Sequence, residues 1–133
     1  MTVSILAVDD SNDIILLYKT FLSTITDRFD SAENGLEALK LVESYNYDLV
    51  ILDMEMPILD GFDTSRELRR SGFLKPILAV TGCNQEHIET KCISAGCSSY
   101  IAKPASKEIL TMEIYELLNP KESHPLKLSS RGI

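Results

Sequence analysis

Two adjacent acids, Asp9 and Asp10, follow a short apolar run at 3–8, and a third acid, Asp53, ends a second run at 49–53. Thr81 ends another run at 76–81, and Lys103 follows a shorter one at 99–102. Carboxylates brought together repel one another, so a cleft that keeps three of them ionised needs a cation. Hard oxygen donors suit Mg²⁺, which retains several waters and is held by one or two carboxylates plus phosphate oxygen. A lysine beside such a cluster adds a mobile positive charge, and a threonine adds a neutral hydroxyl donor. Acids, Mg²⁺, an ammonium and a hydroxyl together can stabilise the oxygens of a phosphoryl group in transfer. One carboxylate must then act as the nucleophile, because Asp can form an aspartyl-phosphate. Asp53 suits that role: it ends the central apolar run, and the loop after it leaves space for a donor.

Taken singly, each residue has an ordinary structural reading. Asp9 and Asp10 suit helix caps, and Asp53 suits a turn. Thr81 is a good strand former, and a lone lysine is usually a solvated surface charge. The chemistry therefore depends on joint placement, and placement depends on the elements that carry these residues.

Apolar runs of strand length alternate with segments of helical period. The spacing predicts strands at 3–8, 28–32, 49–53, 76–81 and 99–102, the second of them weak because Arg28, Asp30 and Ser31 dilute it. The run 49–53 is continuously apolar up to Asp53, the mark of a strand buried on both faces. Helices are expected at 12–25, from Asn34 onward, at 62–70, 85–95 and 106–118. Along the first, Ile14, Leu17, Tyr18, Phe21, Leu22 and Ile25 form the core stripe. Asn34 with Glu37 reads as a capping box. Gly96 is the expected C-cap of the helix at 85–95. Ser106 is the N-cap of the last helix, and Pro120 its stop. Strands alternating with helices imply parallel βαβ units with right-handed crossovers. The expected fold is thus α/β, a doubly wound five-stranded parallel sheet with five helices. In such sheets function sits at the carboxyl ends of the strands. Asp9, Asp10, Asp53, Thr81 and Lys103 all fall at those ends.

The 133 residues fit one domain. A net charge of −7 disfavours direct nucleic-acid binding, which begins with Lys and Arg neutralising phosphates. Cys83, Cys92 and Cys97 are odd in number and lack C-x-x-C spacing, which argues against disulfides and zinc. The N-terminus has no basic segment and too short an apolar run for a signal peptide. No stretch approaches the ~20 apolar residues of a membrane span. A cytoplasmic chain is expected, with a polar tail or linker at 120–133 behind a domain at 1–119.

Four segments, Ile5-Leu-Ala-Val-Asp-Asp10, Ile51-Leu-Asp-Met-Glu-Met-Pro-Ile-Leu-Asp-Gly61, Val80-Thr81 and Tyr100-Ile-Ala-Lys-Pro104, together resemble the receiver domains of two-component response regulators. The resemblance runs from Ile5 to Leu118 and implies a flavodoxin-like sheet in the order 2-1-3-4-5. It implies that Asp53 accepts a phosphoryl group from a phosphohistidine. It implies Mg²⁺, or Mn²⁺ as substitute, held by Asp10, Asp53 and the Glu55 backbone carbonyl, with Asp9 direct or through water. Thr81 would turn toward the phosphoryl group, Lys103 would pair with it, and Tyr100 would follow Thr81. The Lys103–Pro104 peptide would be cis. Phosphorylation would switch the surface formed by the helix at 85–95, the strand at 99–102 and the last helix.

By the same resemblance the partner is a histidine kinase or a histidine-phosphotransfer protein, and Ile15 and Leu16, off the core stripe, would dock on it. On the last helix, Leu110, Ile114 and Leu117 read as core, with Ile109 and Met112 outward. No output domain is expected in the stretch after Leu118, so the output is expected from a partner effector or from another part of a larger chain. Two other classes share part of the pattern. A haloacid-dehalogenase-like phosphatase also uses an Asp nucleophile but resembles D-x-D, where this chain has Glu55. A flavodoxin-like electron carrier needs a phosphate loop after the first strand, and the acids at 9, 10 and 13 would repel a phosphate.

Overall fold

The computed structural model describes residues 2–120. Five strands alternate with five helices: β1 (Ser4–Val8), α1 (Asn12–Phe21), β2 (Arg28–Ala32), α2 (Gly35–Ser44), β3 (Leu49–Asp53), α3 (Gly61–Arg70), β4 (Ile77–Thr81), α4 (Ile88–Ser94), β5 (Ser99–Ala102) and α5 (Lys107–Leu118). All four strand pairings are parallel, in the order β2-β1-β3-β4-β5. The doubly wound sheet expected from the alternation is therefore present. Residues 121–133, most of the expected tail, lie outside the described residues.

Every residue of β3 and β4 is buried, as a sheet covered on both faces requires. Side chains alternate between two apolar layers. Leu6, Val8, Val50, Leu52, Ile77 and Ala79 pack beneath α2, α3 and α4, together with Ala38, Leu68 and Cys92. Ile5, Ala7, Leu49, Ile51, Leu78 and Val80 pack beneath α1 and α5, together with Tyr18, Leu22, Leu110 and Ile114. Each fully buried Leu or Ile contributes roughly 1.5–3 kcal/mol relative to exposure, so these strands are rigid supports for whatever stands at their ends. The cysteines at 83, 92 and 97 are free, the last two buried.

Helix starts follow their caps. Asn34 Oδ1 accepts from the Glu37 N–H at 2.9 Å, one arm of the expected capping box. Asp60 and Ser106 cap α3 and α5 in the same way. Gly96, at φ +103°, lets α4 close in a Schellman turn: the Cys97 N–H donates to the Cys92 carbonyl and the Gly96 N–H to Ile93. The Arg69 guanidinium then ties the end of this turn to the entry of β4, donating to the carbonyls of Gly96, Phe73 and Lys75.

Three expectations need correction. The first helix stops at Phe21 rather than running to Ile25, which lies exposed in the following turn. Its buried face also runs differently. Tyr18 and Leu22 are core and Ile14, Ile15 and Phe21 pack partly against them, whereas Leu17 is 41% exposed. At 100° per residue Leu17 turns away from a stripe centred on Tyr18. Finally, α4 begins at Ile88, not near Gln85, because His87 sits at φ 70° with no side-chain cap bond. No helix among the described residues is long and apolar enough to cross a membrane.

Candidate functional site

The chain leaves β1 toward one edge of the sheet and returns on the other side as β3, which opens a crevice at the carboxyl ends of these strands. Asp9 and Asp10 enter it from β1 and Asp53 from β3. An oxygen of each lies within 4.8 Å of the other two. Asp9 and Asp53 are buried, and Asp10 is exposed. Asp9 Oδ1 accepts from the Ser11 N–H at 2.9 Å, which also sets the entry to α1. Asp9 Oδ2 is buried with no hydrogen-bond partner among the described residues. Burial, reinforced by the charges of Asp53 and Asp10, pushes the Asp9 carboxyl up to about 6. A buried carboxylate oxygen without a donor is costly to leave so. Three clustered carboxylates with one orphaned oxygen make an all-oxygen donor set that fits a hard divalent cation such as Mg²⁺.

Asp53 is 2% exposed. Its Oδ1 accepts from Lys103 Nζ at 2.6 Å and from the Glu55 N–H at 3.0 Å. Burial raises the Asp53 pKa above the ordinary carboxylate value, and the Lys103 and Glu55 donors oppose it only in part. Burial by itself would lower the Lys103 pKa, but the hydrogen bond and charge of Asp53 outweigh it and raise the ammonium above its usual range. Each partner thus favours the charged form of the other against desolvation. The Lys103 N–H donates to the Thr81 carbonyl at 2.9 Å, and the Lys103–Pro104 peptide is cis.

Thr81 ends β4 and is buried. Its hydroxyl donates to Glu55 Oε2 at 2.6 Å and accepts from the Cys83 N–H at 3.0 Å. Glu55 Oε1 accepts from the Gly82 N–H at 2.7 Å and lies 3.7 Å from Lys103 Nζ. Tyr100 is paired in register with Ala79, so it shares a sheet face with Thr81 two residues on, and it packs half-buried against the layer under α2, α3 and α4. The structure therefore brings Asp9, Asp10, Asp53 and Lys103 together directly and joins Thr81 to them through Glu55. Leu16 is 63% exposed on α1, whereas Ile15 is drawn partly into the core under α1 and α5 and is not the free side chain its spacing suggested.

Two contacts at the site are made by the fold rather than by local sequence. Gly61 opens α3 against the Asp53 end of β3: a Cβ there would stand 2.5 Å from the Asp53 carbonyl oxygen and 2.5 Å from Met54 Cα. A glycine closing a proline-containing loop was the available signal. The Glu55 side chain reaches Thr81 across 26 positions, and no local pattern announces such a contact.

Among known proteins, the chain is 34% identical to the chemotaxis protein CheY of Halobacterium salinarum, over 89% of this chain and 98% of that one. It is also 34% identical to the sensor protein EvgS of Escherichia coli over 86% of this chain, but spans only 10% of EvgS. It spans about half the length of the transcriptional regulators it matches. Among solved structures, the Vibrio cholerae chemotaxis protein CheY4 superposes with a TM-score of 0.82 at 26% identity, covering 89% of this chain and all of that one. The family model of the response regulator receiver domain matches residues 5–115, a span that runs from β1 into α5 and holds every acid of the crevice with Thr81 and Lys103; this chain belongs to the response regulator receiver domain family.

Proposed function

We propose that Asp53 is the phosphoacceptor of this receiver and that the groups around it catalyse its own phosphorylation and dephosphorylation. The observation that carries the reading is the state of Asp53: nearly buried at the end of β3, within 4.8 Å of two further acids, and hydrogen-bonded to Lys103 at 2.6 Å. Both of its hydrogen bonds fall on Oδ1, which leaves Oδ2 as the nucleophile. A lone pair of Oδ2 forms the O–P bond as the P–N bond to the donor imidazole breaks. The electron pair leaves with that nitrogen, which takes up a proton. The Lys103 ammonium and the Thr81 hydroxyl are the donors for the phosphoryl oxygens. Asp10, Asp53 and the Glu55 backbone carbonyl would hold Mg²⁺, or Mn²⁺ in its place, with Asp9 direct or through water. The metal supplies neutralisation of the phosphoryl charge.

The donor is a histidine kinase or a histidine-phosphotransfer protein of the cytoplasm, and Leu16, exposed on α1, offers it an apolar contact. The module spans 1–119. Phosphorylation adds charge and acceptor oxygens at Asp53. It thereby biases the surface of α4, β5 and α5, which an effector or output domain reads. Chemical mapping tests the assignment. After phosphorylation and borohydride reduction of the acyl phosphate, the peptide containing position 53 carries homoserine in place of Asp53. Homoserine at position 9 or 10, or a phosphoryl group on a hydroxyl side chain, would overturn it.

Two further outcomes follow from the same geometry. Mg²⁺ at a hundredfold excess over its dissociation constant adds about 2.7 kcal/mol to the stability of the folded chain, read as an upward shift of the thermal midpoint. Asp10→Asn abolishes that shift, and a shift that persists would remove Asp10 from the metal site. Thr81→Ala retains the phosphoryl adduct by intact mass but loses most of the accompanying amide chemical-shift changes in α4, β5 and α5. A bias of ~1–3 kcal/mol, typical of coupling between sites, is what this hydroxyl would have to carry. Complete failure of the variant to take up phosphate would make the Thr81 hydroxyl indispensable to transfer and overturn its assignment to the switch.

A further inference from the structure

A phosphoryl group on Asp53 needs hydrogen-bond donors at the rim beside Lys103, and in this structure one side chain already occupies them. Glu55 accepts from the Thr81 hydroxyl through Oε2 at 2.6 Å and from the Gly82 N–H through Oε1 at 2.7 Å, with Lys103 Nζ 3.7 Å from Oε1. These bonds span 26 and 27 positions and bridge the loop after β3 to the end of β4. Burial does not force the carboxylate there, since the Glu55 side chain is 45% exposed and has water available. A carboxylate held by a hydroxyl and a backbone N–H beside an ammonium is a charge-assisted arrangement, stronger than neutral hydrogen bonds. The single hydroxyl donor of Thr81 is committed in it: the hydroxyl donates to Glu55 while its oxygen accepts from the Cys83 N–H.

We infer that the Glu55 carboxylate is a built-in competitor for the phosphoryl group. In the unphosphorylated chain it fills the Thr81 and Gly82 donors and keeps Thr81 turned toward the loop after β3. When Asp53 carries a phosphoryl group, the two anions cannot share those donors, and Glu55 swings out. Glu55 is thus a positioning residue that acts through Thr81 and Gly82, a role distinct from that of its backbone carbonyl. The identity of the incoming group rests on the proposed function.

The experiment compares the wild-type chain with Glu55→Gln and Glu55→Ala. Its probe is beryllium trifluoride with Mg²⁺, a stable tetrahedral anion that stands in for the phosphoryl group. Amide spectra are recorded first without any anion. In those spectra the Gly82 amide proton moves upfield in Glu55→Ala, because its acceptor has gone; an unmoved resonance overturns the inference at the contact itself. Glu55→Ala then binds the anion about tenfold tighter or more, tenfold being the equivalent of 1.4 kcal/mol. Glu55→Gln falls between, since its amide keeps an acceptor oxygen but not the charge. In a Thr81→Ala background the gain from Glu55→Ala shrinks, as the contested donor is already absent. An anion affinity that is unchanged or weaker in Glu55→Ala, with Gly82 moved, makes the contact merely structural and overturns the competitor role. A wild-type chain that shows the Gly82 contact but neither binds the anion nor takes up phosphate defeats the proposed function, and the competitor role with it.

Discussion

Lys103→Ala is expected to slow phosphoryl uptake from a small-molecule donor by about 10²–10³-fold, the usual loss when one preorganised donor is removed from a developing anion. The argument starts from burial. Asp53 is 2% exposed, and the Lys103 ammonium at 2.6 Å favours its ionised form against desolvation. Without that ammonium the Asp53 pKa rises further, so a smaller fraction is a nucleophile at neutral pH. The transition state also loses a cation that needs no reorganisation to meet it. The fold does not depend on this pair to the same degree, because Asp53 can take a proton in place of its partner and the apolar layers are untouched. Quenched intact-mass time courses measure uptake, and a circular-dichroism melt checks the fold. Uptake within threefold of wild type would show that Lys103 is not part of the chemistry. A lost cooperative melt would assign it a structural role.

Gly61→Ala is expected to destabilise the chain by about 1–3 kcal/mol, as overpacking of a close-packed site does. The added methyl would meet the Asp53 carbonyl oxygen and Met54 Cα at 2.5 Å, and Met54 Sδ at 2.7 Å. Two of these neighbours are backbone, and the Gly61 N–H already donates to the Met54 carbonyl at 3.2 Å, so neither side can give way cheaply. Relief must come from moving the end of β3, which carries the nucleophile. The variant should therefore lose uptake as well as stability, and the fall in uptake should persist at temperatures where it is fully folded. At ~2–8 °C per kcal/mol, the range that brackets a domain of this size, the thermal midpoint drops measurably. An unchanged midpoint would show that α3 can shift outward without cost.

The elements that carry chemistry were the most legible in the sequence. β3 and β4 read as continuous apolar runs because both faces of a central parallel strand are covered, and the residue ending each run falls at the sheet's functional edge. Asn34 and Ser106 announced their helices because a side-chain oxygen at the cap satisfies an N–H that nothing else can reach. What could not be read was tertiary. Ile15 and Leu17 differ by two positions and not in hydrophobicity, so which one faces the core depends on the angle at which α1 lies on the sheet. The late start of α4 follows from the loop after Gly82, where His87 adopts a left-handed conformation that no local rule assigns to it. Ile58, a β-branched residue at φ 73° and 80% exposed in the loop between β3 and α3, is equally unannounced. The Glu55–Thr81 bond links the ends of two strands, and only the finished sheet brings them together.

The measurement that bears most directly on the phosphoacceptor assignment is intact-mass analysis of the chain after incubation with acetyl phosphate, with Mg²⁺ and with EDTA, alongside Asp53→Asn. One phosphoryl adduct that forms in Mg²⁺, fails to form in EDTA and is absent from Asp53→Asn is the predicted result. An adduct that survives Asp53→Asn, or that forms equally well in EDTA, would contradict it.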